Sequence, residues 1–225
     1  MSYYFGFLPS TSLSDTIDDA YALIKNNRGE RYDVYRDKIT HLINQELLDI
    51  MLVKLIESLP DNSERKQHLI KVSHTIEATT DKLINTVLSP TTNDLVLPSF
   101  EFLDKNVLKT DLEGKLRISV PLSDALATQL LASFDNVQQG NGKHEVENLT
   151  RLFDELTKAC LQHFLLDFSK TLPLSRLKRG AIPIADSVIN KALSLALHRL
   201  IPQLPTESLA KFTSYYQPLI FESHN

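Results

Sequence analysis

Between Arg31 and Leu59, Tyr35, Ile39, Leu42, Ile43, Leu47, Ile50 and Met51 return at helical spacing. A period near 3.6 residues places such side chains on one stripe of an α-helix, and a chain dominated by it buries itself by packing helices together. After Leu47 the apolar face widens to most of the circumference, which marks this segment as the central, most buried helix.

The same rhythm and its punctuation predict the other elements. Ser12, with Asp15 three residues on, offers a cap for a first helix carrying Ile17, Tyr21 and Ile24. Pro60 stops the second helix, and Asp61 with Glu64 caps a third that runs through Leu69, Val72, Ile76, Leu83 and Val87. Ser123 and Asp124 open a fourth through Leu126, Leu130 and Phe134, closed by the "QQGNG" cluster. Val146, Leu149, Phe153, Leu156, Cys160 and Phe164 carry a fifth from about His144 to Leu172, roughly 40 Å long at 1.5 Å per residue. Pro183, tolerated in a first turn, starts a sixth with Ile184, Val188, Ala192, Leu195 and Leu200, and Thr206 caps a seventh that ends before Pro218. Residues 95–121 depart from the pattern: "FEFLD" and "KLRISVPL" alternate polar and apolar around the glycine-containing "DLEGK". The expected fold is therefore mainly all-α. It is a compact bundle of about seven helices in a single domain, residues 1–225, with one β-hairpin inserted at about 95–121, its strands near 99–121.

Composition narrows the setting. The single cysteine, Cys160, excludes an intrachain disulfide and points to a reducing compartment. The apolar run "LLDIMLVKLIESL" is broken by Asp49, Lys54 and Glu57, and "MSYYFGFLPS" lacks the basic start of a signal peptide, so the expectation is a cytoplasmic protein without a membrane anchor. The net charge is −4, yet residues 168–225 carry Lys170, Arg176, Lys178, Arg179, Lys191, Arg199 and Lys211 against Asp186, Glu207 and Glu222. A basic end of this kind can steer an anionic partner, and it also suits a solvated surface.

Few residues suggest chemistry. In "PLSRLKRGAIP", Arg176, Lys178, Arg179 and Gly180 read as a basic loop before a helix whose first N–H groups lack acceptors, a place for a phosphate or carboxylate. The stretch matches neither the phosphate-binding nor the dinucleotide fingerprint, and a loop that merely solvates its charges meets the same description. Cys160, His163 and Asp167 share one helix face, as a thiolate or metal site would require, but so do core residues such as Leu156 and Phe164. His74, Glu77 and Asp81 repeat the geometry on the third helix without a fourth ligand. Phe212, Tyr215, Tyr216 and Phe221 can stack bases or face a core. No HExxH, GxSxG or CxxC motif occurs, and no cofactor or metal is called for.

The functional expectation is a regulatory or adaptor protein, without catalytic activity, that binds a protein through a helical groove, the hairpin edge or the basic end, and that shows an exposed apolar patch or self-associates through one. The alternatives are an anion- or small-molecule-binding protein, or an enzyme, working at residues 176–180, and a nucleic-acid binder using the basic C-terminal region.

Overall fold

A computed structural model describes residues 1–26, 29–57 and 64–224. Its architecture is mainly helical: α1 (Thr11–Lys25), α2 (Tyr32–Leu48), α3 (Lys54–Glu57), α4 (Glu64–Val87), α5 (Asn93–Phe102), α6 (Asp124–Asn136), α7 (Gly142–Leu161), α8 (Arg176–Leu200) and α9 (Thr206–Tyr216). Four short antiparallel strands accompany them, β1 (Ser2–Phe7), β2 (Leu108–Thr110), β3 (Leu116–Pro121) and β4 (Ile220–Ser223), in the order β2-β3-β1-β4.

The expected hairpin exists, but its strands and its setting differ from the reading. Its arms are β2 and β3, and "FEFLD" is helical: Val96, Phe100, Leu103 and Val107 are buried at spacings of four, three and four, and this helical stripe outweighs the brief alternation. Nor is the hairpin a lone insertion, because β1 pairs along β3 and also carries β4, joining the two ends of the chain. Gly6 makes that pairing possible. A Cβ there would lie 2.5 Å from the Ile118 carbonyl oxygen and 2.7 Å from Ser119 Cβ, so no larger residue fits beneath β3.

Three helix starts also shift, among them that of α9, where Thr206 is the first helical residue behind Pro205 and not its cap. Ser10, not Ser12, caps α1, accepting from the Leu13 N–H at 3.2 Å. α8 begins at Arg176 behind Ser175, whose Oγ accepts from the Lys178 N–H at 3.3 Å, so the basic loop is in fact the first turns of a helix and Pro183 lies inside it. The bond that Pro183 cannot make belongs to the exposed side of the helix, where the Arg179 carbonyl can turn to solvent. Ser123 caps α6 as expected, through the Leu126 N–H at 3.2 Å. The cap read at Asp61 lies outside the described residues.

The apolar interior divides into two clusters. The larger is built on α4, α6, α7, α8 and α9, and the smaller joins α1 and the start of α2 to α5, Phe7 and Ile118. Leu47, Ile50, Phe164 and Leu219 pack against both. α2 is therefore central but not the most buried helix: no residue from Thr40 to Ile50 is buried, and Ile43, Leu47 and Leu48 line a cavity of about 160 Å³ along the seam between the clusters. The N-terminal end of α2 is pinned beside that seam. Asp33 accepts from Arg31 and from the Thr91 N–H at 3.1 Å, while Arg36, also buried, donates to the Ser89 carbonyl at 3.1 Å and pairs with Asp37.

Candidate functional site

α8 is apolar on two sides. Ile182, Ala185, Ile189, Leu193, Ala196, Leu197 and Leu200 are buried against the bundle, as a core helix requires. The other side should then be polar, but Leu177 is 88% exposed, Ile184 68%, Val188 43% and Leu195 48%. Their offsets of seven, eleven and eighteen residues bring each back to nearly the same angle, so they form one ridge about 27 Å long. Singly exposed apolar residues need no explanation, whereas an aligned set on one helix face is a contiguous patch. α8 is also the one helix among the described residues with the length and apolarity to cross a membrane, although a third of that window is buried in the bundle.

Charge on the ridge has one sign. Arg176 is exposed beside its beginning and Lys191 within it, while Lys178 is half-buried on one flank and Arg179, seven residues before Asp186, lies on the side away from the ridge. Asp186, the only acid in α8, falls on the opposite side from Leu177, Ile184 and Leu195. Because successive helical residues turn by about 100°, Arg176, Lys178 and Arg179 fan around the circumference and do not converge on one point. Gly180 is exposed in the second turn with no atom within 4 Å of a hypothetical Cβ, so it shapes no close cradle. None of these four residues lines the interior cavity.

The other sequence candidates lie elsewhere and do other work. Cys160 is buried in the larger cluster, where burial pushes its thiol up to about 12. His163 sits between the rings of Phe102 and Phe164, at 5.2 and 5.1 Å, and burial lowers it to about 4 against the opposing pull of Asp167 and the Asn106 backbone. Thiol and imidazole are thus both neutral near pH 7, and Asp167 is engaged with Gln162 and Lys170. This is no thiolate-generating pair. His74 and Glu77 form an exposed contact at 3.6 Å on α4.

The C-terminal aromatics are mostly structural. Phe212 and Tyr216 are buried against Phe153, with centroids 4.6 and 4.9 Å away, and the Tyr216 hydroxyl donates to the Met51 carbonyl at 3.1 Å. Phe221 stacks on Tyr4 at 5.7 Å and lies beneath the Arg117 guanidinium at 4.9 Å.

Sequence reading located the basic residues but missed the ridge, because Ile184, Val188 and Leu195 look like the stripe that holds a helix to its core. The signal that separates them was present: two apolar stripes, one through Ile182, Ile189 and Leu193 and one through Leu177, Ile184, Val188 and Leu195, run along a helix that needs only one. No family model, no curated protein and no solved structure matches this chain.

Proposed function

We propose that this protein is an interaction or regulatory protein that binds a protein partner through the outer face of α8. The observation that carries this reading is the ridge of Leu177, Ile184, Val188 and Leu195, which leaves apolar surface in water on a helix already anchored by its other side. Basic residues at its beginning and middle define what fits: an apolar groove rimmed by carboxylates, into which α8 lays its exposed face. The apolar ridge supplies the affinity, and the cations steer encounter and fix polarity.

A photoreactive side chain at exposed Ser187, beside the ridge, tests the reading by covalent capture in cells followed by binding measurements with the purified captured protein. The expected result is a defined partner whose binding weakens at least tenfold with Ile184→Glu and falls with added salt. Binding that is indifferent to Ile184→Glu overturns the proposal. So does capture of only a second copy of the chain, or partition of the protein into anionic vesicles with no protein captured.

A further inference from the structure

The seam cavity is a second feature, independent of the α8 ridge. Protein interiors pack nearly as densely as organic crystals, and the few voids they contain rarely exceed a water molecule. A space of about 160 Å³ is several times the roughly 30 Å³ that one water occupies in the liquid. Its walls come from α2, α4, α5, α7 and α8, and most of them are aliphatic or aromatic. A cavity of about this volume with such walls is a poor host for water and a good one for a molecule the size of a single aromatic ring.

Two local features single out this seam. First, three separate helices widen into π-helical turns where they meet it: Asp49–Val53, Leu103–Val107 and Gln162–Asp167 contribute Met51, Leu103, Val107, Phe164 and Leu165 to the wall. A π turn is rare, costs packing, and recurs at functional sites. Second, Thr157 on the wall is 1% exposed, and its hydroxyl has no hydrogen-bond partner among the described residues. Thr16, Thr40, Thr80 and Thr150 each donate to the carbonyl four residues earlier, an option open to any helical threonine. Thr157 does not use it, so its hydroxyl is left with hydrogen-bonding capacity beside the cavity that it helps to line.

We propose that this seam binds a small neutral ligand, of about the bulk of one aromatic ring or an equally short acyl chain, carrying a single hydrogen-bonding atom that pairs with the Thr157 hydroxyl. Charge is excluded by the setting. Arg36, the cation on the wall, is already neutralised by Asp37, so a carboxylate would enter the seam without a free counter-ion. Polar contacts set orientation, and the apolar wall supplies the affinity.

Titration of the isotopically labelled protein with phenol, toluene and octanoate, followed by amide NMR shifts, tests the proposal. The expected result is saturable shifts in the segments around Leu47 and Thr157, with phenol at least fivefold tighter than toluene and octanoate without effect. Thr157→Val, which preserves shape, should remove the preference for phenol. The chain contains no tryptophan, so Leu47→Trp both blocks the space and reports on it: its emission should be that of a buried indole, and phenol should no longer bind. Absence of saturable shifts overturns the proposal, as does toluene binding as well as phenol to the parent, tighter binding of octanoate, or a preference that survives Thr157→Val. Ile184→Glu on the outer face of α8 should leave the titration unchanged, so failure here and failure of the docking reading are distinguishable.

Discussion

The sheet and the helical seam solve the burial problem in opposite ways. At the sheet no buried side-chain nitrogen or oxygen among the described residues lacks a partner. Asp111 accepts from the Glu113 and Lys115 N–H groups and pairs with Arg117 at 2.7 Å, and Arg117 goes on to the Pro218 carbonyl at 3.2 Å and over the Phe221 ring. Ser119 donates to the Val107 carbonyl at 2.9 Å. The unpartnered buried atoms all lie in the helical part, Thr157 Oγ1 and His163 Nε2 among them. The seam also leaves a cavity of about 160 Å³ walled mostly by apolar side chains. One region has been closed and cross-tied; the other keeps space and spare hydrogen-bonding capacity. A fold stabilised at one end can carry an imperfectly packed interior at the other, and such places are where ligands bind.

If the sheet is the cross-tied end, cutting its tie should be the costliest single polar change. Asp111→Ala removes the acceptor of two backbone N–H groups and strands the largely buried Arg117 charge. The expected loss is about 3 kcal/mol in denaturant unfolding, in the range for breaking a buried pair from one side. A loss below about 1 kcal/mol would mean that the hairpin tolerates rearrangement and that the contrast between the two regions is false.

The two regions should also respond to acid in different windows. His163 is lowered to about 4, so between pH 6.5 and 4 the unfolded chain binds a proton that the folded chain does not, and stability falls as pH drops through that window. The full effect is about 3 kcal/mol, at 1.36 kcal/mol per unit. Asp111 behaves differently. Burial works against its charge, but Arg117 and the Lys115 N–H hold the carboxyl below its ordinary value, so its contribution is intact above about pH 4 and disappears only below. His163→Leu should therefore flatten the limb between pH 6.5 and 4 and leave the more acidic limb in place. Urea midpoints across pH 3–7 check this, and an unchanged upper limb in the variant would place the response on other groups.

The sequence was legible where structure is local. Periodicity located α2, α4 and α7, and the serine before Asp124 marked the start of α6, because a helix and its cap depend on neighbours in the chain. β1 was illegible for the opposite reason. Its partners begin more than a hundred residues away, and with Tyr4, Phe5, Gly6 and Phe7 all buried it shows no alternation to read. β4 is four residues long and follows directly on the helical pattern of α9. At α8, Pro183 drew the start of the helix too far along, which turned Arg176, Lys178 and Arg179 into a loop and hid Leu177 as the first member of the ridge. The cavity has no sequence signal, since it arises from how two clusters fail to meet.

The smallest expected effect sharpens the comparison most, because its sign is unusual. Substituting a buried threonine by valine ordinarily loses the bond its hydroxyl makes, and Val is no better a helix former than Thr. Thr157 has no such bond to lose, so Thr157→Val removes an unsatisfied hydroxyl and keeps the volume of the side chain. The protein should gain about 1 kcal/mol, seen as a higher urea midpoint at unchanged slope. Thr150→Val, seven residues earlier on α7, is the internal control: its hydroxyl donates to the Val146 carbonyl at 2.8 Å, and the substitution should destabilise. Opposite signs at two buried threonines on one helix would show that the seam carries hydrogen-bonding capacity the fold does not use. Equal losses at both would mean that Thr157 finds a partner in solution, and the seam would then be as well satisfied as the sheet.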